Sequence, residues 1–173
     1  MSCPRLETPR LILREWRETD LDALARMHAD PEIVRFLGGT PRSRAESWAN
    51  MATYAGQWAL RGTGLWAVEH RPDGRFAGRV GILHPESRPE PELAYSIGRA
   101  FWGQGLAEEA CRAALAWYRT RGAPPPVSYI DPVNHRSRRL AARLGAYPET
   151  TIELHGKHLE QWRHALDAAT PPP

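Results

Sequence analysis

The chain has 173 residues, of which 42% are hydrophobic and 25% charged, and its mean hydropathy is −0.54. This length and balance predict a single soluble globular domain and exclude collagen, a coiled coil or disorder for the chain as a whole. The 23 basic and 20 acidic side chains leave a net charge of +3, and Lys157 is the only lysine. The arginine excess has two interpretations: a biased codon usage, or guanidinium groups that bind phosphate or acidic partners.

The N-terminal part of the chain predicts one strand and two helices. Residues 10–16 alternate as a strand does, and the polar residues that follow predict a helix entrance. Apolar residues continue at helical spacing until Asp30-Pro31, which we expect to end the helix because the residue before proline avoids the α conformation. Ser43 and Glu46 form a capping box, which predicts a second helix as far as Gly62.

The remainder alternates strands and helices. The predicted elements are strands at 65–70, 76–84 and 92–98, a helix from the glycines at 103–105 to Gly122, a strand at 127–130, a helix at 134–144, and strands at 147–154 and 159–166. This order predicts an α/β (α+β) fold in which a mixed sheet has helices on both faces. We expect one domain over residues 1–167 and a flexible Pro-rich tail at 168–173.

Signals for metal binding, disulfides and membranes are weak. Cys3 and Cys111 have no CxxC spacing, and His155 and His158 lack a third ligand, so we expect no disulfide framework and no metal. No apolar stretch approaches the ~18 residues of a membrane helix, and the N-terminal segment lacks the apolar run of a signal peptide. These features predict a cytoplasmic protein with no membrane partner.

One glycine-rich segment carries a chemical signal. Residues 95–110, YSIGRAFWGQGLAEEA, lead from a predicted strand through a loop into a helix. A helix N-terminus offers unpaired N–H groups and the positive end of a dipole, and glycines let an anion approach the backbone, so the segment predicts a phosphate site. It lacks the lysine of a P-loop, and Glu108 follows where a dinucleotide-binding loop has its third glycine.

The segment FWGQGLAEEA resembles the acetyl-CoA pyrophosphate loop of the GNAT N-acetyltransferase superfamily, in its RimJ/RimL-type branch. Other segments resemble the same branch in order along the chain: LETPRLILR at 6–14, FAGRVGI at 76–82, ELAYSI at 92–97, NHRS at 134–137 and WRH at 162–164. The resemblance covers nearly the whole chain. It implies a mostly antiparallel sheet with a central splayed strand pair.

The resemblance also implies acetyl-CoA as co-substrate and assigns residues to it. Backbone groups of Ser96, Ile97 and Gly98 would pair with the pantetheine arm, with Asn134 on the opposite side. One freed N–H would face the thioester oxygen and stabilise the charge that develops there in the transition state. The pyrophosphate would bind the N–H groups of the loop, which consists of Gly103, Gln104, Gly105, Leu106, Ala107 and Glu108.

Two side chains are candidates for proton transfer. Glu92 could take the proton of the amine, directly or through a water, or it could be a strand-end carboxylate that pairs with an arginine. Many relatives have a tyrosine seven residues after the asparagine to protonate the leaving thiolate, but this chain has Ala141 there. Ser137 could donate instead, or could be a polar residue of the first helical turn.

Two further positions bear on cofactor binding. Glu108 stands where relatives often contact phosphate through Thr or Ser, so we expect its carboxylate to repel the pyrophosphate unless it turns away. The arginines between Arg136 and Arg143 lie on a helix that begins beside the expected cofactor. They could meet its 3′-phosphate or adenine, or form a solvated helix face.

The sequence therefore predicts an acetyl-CoA-dependent N-acetyltransferase that works by direct attack in a ternary complex. The acceptor would be a small-molecule amine or a protein N-terminus, and a homodimer is compatible with the sequence. A catalytically idle acyl-CoA-binding module is the alternative, favoured by the missing tyrosine and by Glu108. Nucleic-acid binding, suggested by an isoelectric point near 9.2, is a distant third hypothesis, and we expect no nucleic-acid partner.

Overall fold

A computed structural model describes residues 3–154 and 156–165 of the chain. Its helices are α1 (Leu21–Ala29), α2 (Pro31–Val34), α3 (Arg44–Arg61), α4 (Leu106–Arg119) and α5 (His135–Arg143). Its strands are β1 (Leu6–Glu7), β2 (Leu11–Arg14), β3 (Leu65–His70), β4 (Phe76–Leu83), β5 (Glu92–Ile97), β6 (Val127–Ile130), β7 (Ala146–Leu154) and β8 (Lys157–His164). The predicted tail at 168–173 and the predicted domain end at 167 lie outside the described residues. Among the described helices, none is both long and apolar enough to cross a membrane.

The strands form one sheet in the order β1-β2-β3-β4-β5-β6-β8-β7. Every neighbouring pair is antiparallel except β5 and β6, which run parallel at the centre. The predicted mixed, mostly antiparallel sheet is confirmed.

The main core lies between the sheet and α4. Leu106, Ala110 and Ala114 on one side of that helix pack with Val80 and Leu93 of the sheet, and all five are almost fully buried. Apolar residues on α4 recur at the helical period, which is the sequence signal that predicted this helix.

The opposite face of the sheet is covered by α1 and α3, and we call it the α1/α3 face. A second apolar cluster forms here, and the ring of Tyr54 on α3 lies over the guanidinium of Arg79 on β4. Arg79 pairs with Ser96 across β4 and β5, and residues paired in a sheet point to the same side. Side chains alternate along a strand, so Glu92 also points to this face. Helices on both faces of the sheet are thus confirmed.

The structure differs from the predicted elements mainly at α2, which the sequence did not predict. Asp30-Pro31 ends α1, as expected, but it also begins the next helix. The Asp30 carboxylate accepts a hydrogen bond from the Glu32 N–H at 3.0 Å, and Pro31 occupies the first helical position, where proline is favoured. The predicted capping box is present, since the Ser43 hydroxyl accepts from the Glu46 N–H and the Glu46 carboxylate accepts from the Ser43 N–H.

A buried ion pair fixes the entrance to α1. Arg14 on β2 donates two hydrogen bonds of 2.8 Å to the carboxylate of Asp20 and one of 2.7 Å to Glu69 on β3. The Arg14 and Asp20 side chains are only 6% and 4% exposed. These partners raise the pKa of Arg14 above its usual value, so the guanidinium stays charged.

Replacing Arg14 with methionine should lower the free energy of unfolding by about 3–5 kcal/mol, because it leaves the Asp20 carboxylate buried without its partner. Urea denaturation measures the change. The matched control is Arg44→Met, which removes a solvent-exposed pair with Asp22 and should leave the urea midpoint nearly unchanged. Equal, small effects of the two substitutions would contradict the structural role of Arg14.

Candidate functional site

The two central strands separate soon after they meet. β5 and β6 share a single backbone pair, Glu92 with Val127. One residue further on, the Ser128 hydroxyl donates to the Leu93 carbonyl at 2.8 Å. A side chain thus replaces the backbone hydrogen bond that would continue the pairing of the two strands. Beyond this point the pairing ends, and the sheet opens into a cleft between β5 and β6.

The direction of the β5 backbone groups decides which of them face this cleft. The Gly98 N–H donates to the Ala77 carbonyl, and the Ser96 carbonyl oxygen lies against Gly78, so both residues turn their backbone to β4. Successive residues of a strand point their backbone N–H and C=O groups to opposite neighbouring strands. The backbone groups of Ile97 and Tyr95 therefore face the cleft. Of the three residues expected to pair with pantetheine, the structure therefore favours Ile97 over Ser96 and Gly98. Tyr95 is a further candidate.

The Ile97 carbonyl is already engaged, because it accepts a hydrogen bond of 2.6 Å from the indole of Trp102. The Ile97 N–H is the group that remains as a donor toward the cleft. Trp102 thereby ties the glycine-rich loop to the end of β5.

The loop from Gly103 to Glu108 joins the cleft to the start of α4. Gly105 immediately precedes the helix with φ +74°, a left-handed conformation that side-chain-bearing residues rarely adopt. A Cβ at Gly103 would meet no atom within 4 Å, so the backbone there is open to an approaching group. The first N–H groups of an α-helix have no partner within the helix, and here they follow a loop that an anion can approach.

A brace from the turn between β1 and β2 holds this loop, and no sequence pattern predicted it. Arg10 donates through Nη1 to the Gln104 carbonyl at 2.8 Å and through Nε to the Glu109 carboxylate at 2.7 Å. The Thr8 hydroxyl donates to the same carboxylate at 2.6 Å. Residues about a hundred positions apart thus fix both the loop and the first turn of α4.

Glu108 turns away from the loop toward α5. Its carboxylate accepts from Arg112 at 2.7 Å and from Arg143 at 2.7 Å, and these bonds lower its pKa below the usual value. Two guanidinium groups therefore compensate the negative charge that the sequence placed in the phosphate loop.

Glu108→Gln should change the affinity for acetyl-CoA by less than about fivefold, because the charge it removes is already paired at the surface. Titration calorimetry measures the affinity. Glu109→Gln is the comparison variant, and it should weaken binding more because it loosens the brace at Arg10. Binding that tightens tenfold or more in Glu108→Gln would mean that this carboxylate repels the ligand.

Asn134 and Ser137 meet on the other side of the cleft, at the start of α5. The Asn134 side-chain oxygen accepts from the Ser137 N–H at 3.2 Å and caps the helix, which leaves the two amide donors of Asn134 for other partners. The Ser137 hydroxyl lies 2.5 Å from the hydroxyl of Tyr95. Burial raises the pKa of Tyr95, so its hydroxyl keeps its proton. Tyr95, which links β5 to α5, is a second feature that was missed as a site residue.

Glu92 lies at the point where the strands begin to part, on the α1/α3 face. Its carboxylate accepts a hydrogen bond of 2.8 Å from Arg88 and is nearly buried. Burial raises its pKa above the usual value, against the lowering effect of Arg88 and, more distantly, Arg79. Glu92 thus has an arginine partner, as expected if its role is structural, and a raised pKa, as expected if it acts as a base.

Two of the four arginines of α5 form ion pairs within the protein. Arg138 lies 3.0 Å from a Glu160 carboxylate oxygen, and Arg143 binds Glu108. Arg136 is placed differently: its guanidinium lies 4.6 Å above the ring of Trp102, beside the glycine-rich loop. Arg136 therefore lies next to the segment for which the sequence predicts a phosphate site.

Comparison with known proteins relates the whole arrangement to one family. Residues 10–147 match the model of the family described as acetyltransferase (GNAT) domain. The chain is 30% identical over 190 residues to the [ribosomal protein uS5]-alanine N-acetyltransferase of Escherichia coli, an alignment that covers 97% of this chain and 91% of that protein.

Solved structures agree with this match. An acetyltransferase from Agrobacterium tumefaciens superposes with a TM-score of 0.87 at 28% identity, over 95% of this chain and 96% of that one. The RimL ribosomal L7/L12 α-N-protein acetyltransferase in complex with coenzyme A has the same fold, with a TM-score of 0.78 at 18% identity, over 96% of this chain and 100% of that one.

Proposed function

The chain belongs to the GNAT acetyltransferase family and is an acyltransferase, and we propose that it transfers the acetyl group of acetyl-CoA directly to a primary amine. The observation that carries this proposal is the cleft between β5 and β6, which leads into the loop at the start of α4. A cleft lined by backbone groups suits an amide-bearing arm, and the helix N-terminus suits a pyrophosphate.

The residues of the cleft fit acetyl-CoA, which supplies an acetyl group activated as a thioester. We assign the pyrophosphate to the N–H groups of Gly103 to Glu108 and the pantetheine arm to backbone groups of Tyr95 and Ile97, with the Asn134 amide opposite. The Ile97 N–H is the donor available to the thioester oxygen, where it would stabilise the negative charge of the transition state.

Glu92 is proposed as the base that takes the proton of the attacking amine. It lies on β5, on the face away from α4, and its buried carboxylate has a raised pKa, which brings a base nearer to its working pH. The bond to Arg88 occupies one carboxylate oxygen and orients the group.

Ser137 is proposed as the acid that protonates the leaving thiolate, with Tyr95 as the residue that positions it. The two hydroxyls are 2.5 Å apart, so a hydrogen bond with Tyr95 orients the Ser137 hydroxyl and can stabilise the oxygen that has given up its proton. This pair stands in for the tyrosine that many relatives carry at the position of Ala141.

Direct transfer in a ternary complex is supported by the state of the cysteines. Cys111 is fully buried, and burial raises its pKa, while the pKa of Cys3 is raised to about 12. Neither thiol offers the thiolate that a covalent acetyl-enzyme would need.

We propose as acceptor a protein N-terminal amine or a small primary amine. The relative from Escherichia coli is named for acetylation of an alanine of ribosomal protein uS5, which makes a protein N-terminus the first substrate class to test.

The test is acetyl-CoA consumption over a panel of N-terminal peptides and small amines, with initial rates at varied concentrations of both substrates. Intersecting double-reciprocal lines are expected for a ternary complex, and parallel lines would contradict it. Acetyl-CoA binding without turnover of any amine would favour the idle binding module instead.

A further inference from the structure

Arg79 is a buried arginine that forms no ion pair with any residue in the described part of the chain. It lies on β4, points to the α1/α3 face and is only 6% exposed. Its Nε has no hydrogen-bond partner within residues 3–154 and 156–165. Its guanidinium carbon lies 4.9 Å from the centre of the Tyr54 ring.

This situation is costly and unlike that of the other buried arginine. A buried charge without a partner loses its hydration and gains nothing in return. Arg14, which is equally buried, meets two carboxylates at hydrogen-bond distance. Stacking on an aromatic ring recovers only part of the loss for Arg79. A partner from outside the chain would account for the arrangement.

The groups around Arg79 add positive rather than negative charge. Arg79 and Arg42 both lie close enough to His28 to help burial lower its pKa to about 4, so His28 is neutral near pH 7. Arg42 Nη1 and His28 Nε2 are also buried without hydrogen-bond partners. Arg79 also acts on the Glu92 carboxylate, whose pKa its charge helps to lower, but that carboxylate is hydrogen-bonded to Arg88.

The position of Arg79 connects it with the cleft. It pairs with Ser96, the neighbour of Ile97 on β5, and it shares the α1/α3 face with Glu92. On the proposed function, an amine that approaches the Ile97 N–H from this face meets the side of the sheet that carries Glu92 and Arg79. The helix α4, which follows the glycine-rich loop, packs on the other face through Leu106, Ala110 and Ala114.

We propose that Arg79 binds a carboxylate of the acceptor, so that the preferred substrate is an amine that carries a carboxylate close to its amino group. This inference rests on the proposed function. Guanidinium matches a carboxylate in a two-pronged geometry, and the acceptor would supply the ion pair that Arg79 does not form within the described part of the chain. The surrounding cations would also favour the neutral, reactive form of the bound amine. The same charges disfavour polyamines.

Two sources can supply this carboxylate: the α-carboxylate of a free amino acid, or an acidic side chain next to a peptide N-terminus. The experiment compares alanine with alaninamide, and amidated Ala-Glu with amidated Ala-Gln. In at least one pair, the acid should have a kcat/KM about ten- to a hundredfold higher than its amide, as expected for a charge-assisted hydrogen bond in a buried site.

Arg79→Met removes the charge and keeps the length of the side chain. It should abolish the preference for the acid, mainly through KM, and leave acetyl-CoA affinity unchanged. Arg79→Lys should restore part of the preference. The melting temperature of Arg79→Met should stay level or rise because an unpaired buried charge is lost, whereas that of Arg14→Met should fall.

A binding experiment separates this proposal from the proposed function. Calorimetry measures how tightly the N-acetylated products of these four compounds bind to the cofactor-free protein. A preference for the acid product that disappears in Arg79→Met supports the carboxylate site even if no turnover is found. Equal kcat/KM and equal binding for acid and amide, or a preference that survives in Arg79→Met, would overturn it. Loss of acetyl-CoA affinity in Arg79→Met would overturn it as well, by assigning Arg79 to the cofactor.

Discussion

Acetyl-CoA should lose at least about a hundredfold in affinity when Gly105 is replaced by glutamate. The substitution puts a negative charge beside the N–H groups at the start of α4, where we place the pyrophosphate, and it fills the space through which an anion approaches. A Cβ at this position would meet Arg10 Nη2 only at 3.7 Å, an ordinary contact, so the cost to the fold is the strain of the positive φ rather than a clash.

The matched control is Gly74→Glu in the turn between β3 and β4. Gly74 has φ +68° against +74° for Gly105, and no atom lies within 4 Å of a Cβ built on it, so both variants carry a similar backbone strain. Gly74→Glu should bind acetyl-CoA as the native protein does, by calorimetry. Unchanged affinity in Gly105→Glu would mean that the loop does not hold the pyrophosphate.

Turnover at pH 7 should fall about 10²- to 10⁴-fold in Glu92→Gln, the range typical of losing a general base. The native rate should fall as the pH drops through the raised pKa of Glu92, because the carboxylate must be deprotonated to act. The glutamine variant should not show this fall in rate at low pH. Its turnover should recover partly at higher pH, where the amine loses its proton unaided. A pH profile of kcat/KM measures both effects.

Glu90→Gln is the control for charge loss near the same strand. Glu90 pairs with Arg163 at 2.6 Å, away from the cleft, so its replacement should leave the shape of the pH profile unchanged. A loss in Glu92→Gln that is equal at every pH would assign Glu92 to a structural pair with Arg88. The glutamine can still accept the Arg88 hydrogen bond, so the variant should fold.

Local patterns predicted the elements of the fold well. The capping box at Ser43 and Glu46, the bounds of β3 and β6, and the glycine-rich start of α4 each depend on residues close together in sequence. The family resemblance of these segments, in order along the chain, predicted the splayed strand pair.

Long-range features could not be predicted in this way. The brace between Arg10 and Glu109 joins residues 99 positions apart, and neither has a pattern that names the other. Which backbone groups of β5 face the cleft depends on which residues of β5 pair with which residues of β4. The sequence pattern shows only that successive residues alternate, and not which set faces the cleft. For that reason Ser96, Ile97 and Gly98 looked equivalent in sequence but are not equivalent in the structure.

The single backbone pair between β5 and β6 also has a thermodynamic consequence. The free protein leaves strand-edge groups at the centre of its sheet unmatched, and on the proposed function the ligand's amides supply the missing partners. Ligand binding and folding are then linked, because a ligand that binds only the native state adds RT ln(1 + [L]/Kd) to its stability. At a hundredfold excess over Kd this amounts to about 2.7 kcal/mol. The lifetime of the protein in a cell would therefore follow the supply of its own co-substrate.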